Sequence, residues 1–337
     1  MSTKAIPGRA GPKGPTFAVL ASNEVGLLLI TVGAVIVFSY LAPGFDSPFN
    51  IYALTRVLAI DVVIGFSMMV VLVTGGLNLA VGAIGVSAVM VGGWAMQVAG
   101  LPIIVSALLA LAFGAALGAL NGILTVAMRV HSFVVTLATM SLFFGAMIVL
   151  TQAEAFNALP AEFVSLAKLK TWFFASSMLY ASIVVGLLLW WLFHHTLIGR
   201  QILAAGANPS AARLSGVPVE RTIVVCHGLS GALAAFAGLM LTARNGAALP
   251  SMAGQLGMDW LLPAFLAPVL GGTLLTGGTL SVAGTFLGAA MVTVLSNGLL
   301  QLQVGEFWVQ AFLGVILLVA VVLDRLRAHV MAKRRVR

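Results

Sequence analysis

The chain contains few charged residues and a single cysteine. Only 8% of its 337 residues are charged, whereas 61% are hydrophobic. Since about a quarter of the residues in a soluble domain are charged, this composition excludes an ordinary soluble fold. The one cysteine, Cys226, lies in an apolar run. An intramolecular disulfide is therefore excluded, and a cysteine packed within the membrane is favoured.

The motifs that mark common catalytic sites are also missing. The chain has no G-x-x-x-x-G-K-[ST] phosphate loop, no H-E-x-x-H, no G-x-S-x-G and no C-x-x-C. We therefore expect a chain that is not an enzyme, does not hydrolyse ATP, and holds no metal or cofactor of its own. The pair His194–His195 is interpreted as the polar end of a helix.

Long apolar runs dominate what is present. A helix of about 20 apolar residues crosses about 30 Å of hydrocarbon. The runs predict an all-α polytopic membrane protein with about ten transmembrane helices. They lie near 24–42, 57–74, 79–99, 102–127, 132–152, 176–194, 221–243, 259–275, 280–302 and 307–324.

The basic residues predict the orientation of these helices. The formal net charge is +8, and placing both termini in the cytoplasm puts 13 of the 17 Lys and Arg residues on the inner side. We therefore expect a cytoplasmic tail over 1–23, a transmembrane domain over 24–324 and a basic cytoplasmic tail over 325–337. Because the charge lies at span ends and in tails, it indicates topology and no nucleic-acid partner.

Glycine is abundant, with 37 residues, and it occurs in two kinds of pattern. Gly114, Gly118 and Gly122 form a small-xxx-small ladder that favours close helix packing. Paired glycines instead interrupt apolar runs at TGGLNLAVGA (Thr74–Ala83) and TGGTLSVAGT (Thr276–Thr285). Their glycines align, which hints at a duplication. Interrupted backbone at membrane depth is tolerated inside protein or beside a water-filled cavity. The predicted translocation-pathway residues are Gly75, Gly76, Asn78, Gly82, Gly271 and Gly272.

The predicted spans contain almost no ionisable residue near their middle. Asp61 is the acid within them, and it is predicted close to the outer boundary, where it either pairs with Arg56, reaches interfacial water or has a function. Ion-coupled carriers commonly place ionisable groups near the midplane, so this pattern argues against such a carrier.

One polar stretch interrupts the apolar sequence between the sixth and seventh spans. In AAGANPSAARLSGVPVER (Ala204–Arg221), Asn208 suits an N-cap, Pro209 suits the first helical position and Gly216 suits a left-handed cap. These signals predict a short cytoplasmic helix, which either docks on an ATPase or belongs to an ordinary loop. The predicted ATPase-coupling residues, within segment 196–220, are Gly206, Asn208, Pro209, Ala211, Ala212, Arg213 and Gly216.

The same stretch carries a family resemblance. LIGRQILAAGANPSAARLSGVPVERT (Leu197–Thr222) resembles the G-R-x-x-x-A-x-G-x-N-x-x-A-A-R-L-S-G segment of the ribose/xylose/arabinose-type ABC importer permeases. VTGGLNLAVGA is similar to that family's T-G-G-I-D-L-S-V-G-S, and HSFVVTLATMSLFFGA (His131–Ala146) to its P-x-F-I-V-T-L-G-T-M. The likeness covers roughly 50–327. Asn78 replaces the family's usual Asp, and Met258–Gly272 departs from E-L-x-A-I-A-A-V-V-I-G-G.

The resemblance implies a permease subunit of a binding-protein-dependent importer in the bacterial cytoplasmic membrane. Its implied partners are an ABC ATPase that binds ATP and Mg, a periplasmic or lipoprotein sugar-binding protein, and a second permease copy or paralogue. The implied cargo is a monosaccharide or related small polar solute. A branched-chain amino acid or nucleoside ABC permease and an ion-coupled secondary carrier remain alternatives. An intramembrane enzyme is a further one, although no nucleophile and base are identified for it.

Overall fold

The computed structural model describes residues 23–169 and 175–335, and these residues form helices joined by short turns. Residues 1–22 of the predicted N-terminal tail lie outside the described part of the chain. The α-helices are α1 (Asn23–Leu41), α2 (Pro48–Leu72), α3 (Val81–Gln97), α4 (Ile103–Met128), α5 (Ser132–Thr151), α6 (Ala161–Leu166), α7 (Ser177–His195), α8 (Leu197–Ala207), α9 (Pro209–Leu214), α10 (Val219–Asn245), α11 (Leu261–Leu270), α12 (Val282–Gln301) and α13 (Glu306–Arg335). A 3₁₀ helix, Gln255–Trp260, leads into α11.

The prediction of an all-α polytopic membrane protein is confirmed. Among the described residues, seven helices are long and apolar enough to cross a membrane: α1, α2, α4, α5, α7, α10 and α12. The other three predicted spans appear as shorter apolar helices, which are α3, the 3₁₀ helix with α11, and the first part of α13. Helix α13 continues to Arg335, past the predicted end of the last span.

Helix α2 lies at the centre of the bundle and packs against α7, α10, α11 and α12. It is buried from Leu58 to Val73 except at Asp61, which is partly exposed. The helix begins at Pro48 rather than near residue 57, because Ser47 caps it by accepting a hydrogen bond from the Asn50 N–H (3.2 Å). Polar side chains in its first turns form hydrogen bonds inside the fold. The side chains of Asn50 and Asn297, for example, exchange two hydrogen bonds (3.0 and 3.1 Å).

The glycine ladder of α4 packs against α10, as its spacing predicts. A Cβ at Gly114 would lie 2.6 Å from the backbone oxygen of Gly231, and a Cβ at Gly118 would overlap the backbone oxygen of His227. A Cβ at Gly122 would lie 2.7 Å from the Cα of Val224. Because lipid supplies no hydrophobic driving force between helices, this close backbone approach, with its van der Waals contacts, holds α4 to α10.

The first prediction concerns this packing. Gly118→Leu places a side chain where the α10 backbone lies, so α4 must move away and we expect a large loss of folded protein. Gly145→Leu on α5 is the matched control, because a Cβ at Gly145 meets nothing within 4 Å. Size-exclusion yield and thermal unfolding in detergent measure the effect. Equal yields and unfolding midpoints for the two variants would contradict the packing role.

Candidate functional site

The chain between α2 and α3 forms the first interruption, residues 73–80. Its backbone is satisfied by hydroxyl groups on α5: Ser132 Oγ accepts from the Leu77 N–H (2.7 Å), and Thr136 Oγ1 accepts from the Leu79 N–H (3.1 Å). Gly75 adopts a φ of +77°, which L side chains rarely adopt and which ends α2 with a tight turn. The N-terminal turns of α5 therefore hold the first interruption in place.

Asn78 is fully buried in the first interruption and is bonded at both ends of its amide. Its Nδ2 donates to Ser230 Oγ (2.9 Å), and its Oδ1 accepts from the Ala80 N–H (3.1 Å) at the start of α3. Ser230 Oγ also lies 2.9 Å from Ser67 Oγ. These contacts join the first interruption to α2 and α10 through polar side chains.

The chain between α11 and α12 forms the second interruption, residues 271–281. Gly277 and Gly278 have φ values of +84° and +83°. The Gly278 N–H donates to the backbone oxygen of Val73 (2.8 Å), so the two interruptions are hydrogen-bonded to each other. The glycine motifs that align in the sequence are thus in contact in the fold.

The predicted pathway glycines separate into three groups. Gly75 faces the second interruption, and a Cβ at Gly76 would lie 2.9 Å from Ser132 Oγ. Gly82 instead packs on the backbone oxygen of Gly257, and Gly271 packs on Gly284, so both allow helices to approach. Gly272, with a φ of +88°, forms an exposed turn. Their part in translocation stays a prediction.

A groove opens beside the first interruption. It is lined by Gly75, Leu77, His131, Phe265, Val269, Leu275, Leu317 and Val321. The lining comes from four parts of the chain: the first interruption, the start of α5, α11 with the second interruption, and α13. Its walls are apolar except at His131, so the groove offers few hydrogen bonds to a polar solute.

The predicted short helix is present as α9 and has the predicted caps. Asn208 Oδ1 accepts from the Ala211 N–H (3.0 Å), Pro209 occupies the first helical position, and Gly216 has a φ of +79°. A second helix that was not separated in the sequence, α8, precedes it and is capped by Thr196, whose Oγ1 accepts from the Gly199 N–H (3.1 Å). These observations confirm the local structure of the segment and leave its function to be tested.

The faces of α9 differ from the expectation in one respect. We expected Ala211 and Ala212 both to be available to a partner, but Ala212 is only 5% exposed and packs on Ala205 and Val219. Leu214, which the sequence analysis did not select, is 91% exposed. Arg213 is exposed and pairs with Glu220 (2.9 Å). Because α9 has only six residues, its own chain must hold one side of it, and Ala212 lies on that side.

Two ionisable residues inside the bundle correct the sequence analysis. Asp61 lies near the middle of α2 and accepts a hydrogen bond from Thr293 Oγ1 (2.9 Å). Of the alternatives considered for Asp61, the pair with Arg56 is not observed, because Arg56 donates to the backbone oxygen of Arg244 (3.1 Å). His227 on α10 was missed. It is fully buried, and neither ring nitrogen has a hydrogen-bond partner among the described residues.

Comparison with known proteins identifies the family. Residues 49–321 match the family described as "Branched-chain amino acid transport system / permease component". The chain belongs to this family of permease components. It is therefore a transport subunit and not an enzyme, as the missing catalytic motifs predict. No solved structure matches it.

Curated relatives cover almost the whole chain. The ribose import permease protein RbsC of Bacillus subtilis is 37% identical over 293 residues, which cover 86% of this chain and 89% of that protein. RbsC of Escherichia coli is 32% identical over 332 residues, covering 96% and 99%. The D-allose transport system permease protein AlsC of Escherichia coli is 31% identical over 331 residues, covering 96% and 98%.

The second prediction concerns Asn78. In Asn78→Asp, the Ala80 N–H and a reoriented Ser230 hydroxyl both donate to the carboxylate, which also lies at the N-terminal end of α3, where negative charge is favoured. We expect this variant to fold and to transport. In Asn78→Leu, the Ala80 N–H loses its partner, at a cost of about 1–3 kcal/mol. Thermal unfolding and solute uptake distinguish the two variants. Loss of uptake by well-folded Asn78→Asp would show that the amide itself is required.

Proposed function

We propose that this chain is the membrane permease subunit of a binding-protein-dependent ABC importer for a monosaccharide or a closely related small polar solute. Membership of the permease family supports the transport class. The relatives named for ribose and D-allose support a sugar as the cargo, because each covers more than four fifths of the chain. The chain lies, on this proposal, in the bacterial cytoplasmic membrane with both termini in the cytoplasm.

The energy source is a separate ATPase chain, which binds ATP and Mg. The observation that carries this proposal is the geometry of α9. The helix is capped at both ends, packs on its own chain through Ala212, and presents Leu214 with most of its surface uncovered. Covering such a leucine with an apolar pocket of a partner would contribute about 1.5–3 kcal/mol. We therefore assign Leu214, Ala211 and Arg213 to the docking face.

The remaining partners are those expected of a binding-protein-dependent ABC importer. A periplasmic or lipoprotein-anchored sugar-binding protein delivers the solute, and a second copy of this permease, or a paralogue, completes the membrane unit. No nucleic acid takes part. The two interruptions are short non-helical segments beside the coupling segment. A change in their packing can open or close the path of the solute.

A branched-chain amino acid importer is the second candidate, because the description of the matched family names that transport system. The two candidates differ in the cargo and share the docking arrangement. Uptake by the permease, reconstituted in vesicles with its co-expressed ATPase and binding protein, separates them. The panel is D-ribose, D-allose, D-galactose and L-leucine, each radiolabelled. We expect ATP-dependent uptake of at least one sugar and none of L-leucine. Uptake of L-leucine alone would overturn the sugar assignment.

The third prediction tests the docking face. Leu214→Asp places a charge where an apolar pocket should cover the side chain, while the internal contacts of α9 are unchanged. Since burying a leucine side chain contributes about 1.5–3 kcal/mol, we expect the affinity for the ATPase to fall at least about tenfold. Leu214→Met is the matched control, because it keeps the apolar volume. Co-purification of the ATPase and ATP hydrolysis are measured together.

Ala212→Trp serves as a comparison within the same helix. The added ring has no room beside Ala205 and Val219, so this variant should lower the amount of folded permease as well as its coupling. Leu214→Asp should leave the folded amount unchanged. Wild-type co-purification and wild-type ATP hydrolysis in Leu214→Asp would remove α9 from the ATPase interface.

A further inference from the structure

Three backbone segments from distant parts of the sequence meet at one point, which we call the glycine junction. It consists of residues 73–75, 206–207 and 277–278. Gly206, in the last turn of α8, is buried against the backbone oxygen of Val73, and a Cβ there would overlap that oxygen. The same Cβ would lie 2.7 Å from the Gly278 nitrogen. Gly206 therefore touches both interruptions at once.

Glycine is required on the other sides of the junction as well. A Cβ at Gly277 would lie 2.7 Å from the Gly75 nitrogen and 3.1 Å from the Gly206 oxygen. A Cβ at Gly278 would lie 2.6 Å from the Ala207 Cα. Direct backbone contact leaves no flexible side chain to absorb a displacement, so a shift of one segment must move the other two or separate them.

The junction is also close to the docking helix along the chain. Gly206 is followed by Ala207 and by Asn208, the N-cap of α9. In the other direction, Val73 directly follows the central helix α2, and the second interruption leads into α12. The Gly278–Val73 hydrogen bond (2.8 Å) closes the contact between the interruptions directly beside Gly206.

We propose that Gly206 is a positioning residue that transmits the movement of α9 to both interruptions, so that ATP hydrolysis on the partner and solute movement occur together. This inference rests on the proposed function, because it needs α9 to dock on an ATPase. The inference adds to that function the contacts through which a movement of the docked α9 displaces the membrane helices. Packed backbones have discrete arrangements rather than continuous ones, so the junction is either closed, as here, or separated.

The test is Gly206→Ala in the complete complex of permease, ATPase and binding protein, reconstituted in vesicles. The added methyl group pushes α8 away from Val73 and Gly278 while α9 and its exposed face remain intact. We expect the ATPase to co-purify and to hydrolyse ATP. Since couplings between sites are typically about 5-fold to 150-fold, the ratio of solute transported to ATP hydrolysed should fall about tenfold. The solute is whichever of D-ribose, D-allose and D-galactose the wild-type complex takes up fastest.

Gly199→Ala is the matched control on the same helix. A Cβ at Gly199 would lie 2.5 Å from the Phe193 Cα and would overlap the Leu192 oxygen, so it is equally crowded, but against α7 rather than at the junction. Any loss in Gly199→Ala should follow the amount of folded complex and leave the transport ratio unchanged. Both rates are therefore divided by the folded complex, measured by size exclusion.

Ala207→Leu provides a second variant with a milder backbone effect. Its side chain is exposed and borders Gly278, so the added bulk presses on the second interruption without entering the core of α8. We expect the same fall in the transport ratio. The proposal is overturned if Gly206→Ala and Ala207→Leu keep the wild-type ratio per folded complex, or if Gly199→Ala lowers that ratio as much as they do. Failure of the wild-type complex to transport any of the sugars would count against the proposed function instead.

Discussion

The structure depends on one constraint: a backbone N–H or C=O that is buried away from water must find a partner within the protein. Helices meet this requirement with their own backbone hydrogen bonds, whereas the non-helical interruptions need partners from other parts of the chain. The Leu77 and Leu79 N–H groups therefore bond to the Ser132 and Thr136 hydroxyls. The Gly278 N–H bonds to the Val73 oxygen. The interruptions are thus fixed by α5 and by each other.

This arrangement brings together helices that are far apart along the chain. The end of α2, the start of α5, the end of α8 and the segment before α12 all contribute atoms to the same small region. Helix α9 continues from that region toward the predicted cytoplasmic face, where Leu214 is exposed. A partner that moves α9 would therefore also disturb the hydrogen bonds of the interruptions. A transport subunit requires such a link between its docking helix and its membrane helices.

Features that depend on neighbouring residues were predictable from the sequence. The caps of α9, the glycine turn at Gly75 and the glycine ladder of α4 are local patterns with one dominant physical meaning. Features that depend on distant residues were not. The partner of Asp61 is Thr293, more than two hundred residues away, and the burial of Ala212 depends on Ala205 and Val219. The start of α2 was misplaced because hydropathy treats a polar residue paired inside the bundle as exposed.

Hydrogen–deuterium exchange of peptides covering 73–80 and 276–281, in the complete complex, tests the central claim most directly. The account predicts slow exchange at Leu77, Leu79 and Gly278 without nucleotide, because these amides are bonded within the protein. It predicts faster exchange in at least one of the two peptides when a non-hydrolysable ATP analogue binds the partner ATPase, because the glycine junction then separates. Fast exchange in the resting complex, or exchange that nucleotide leaves unchanged in both peptides, would contradict it.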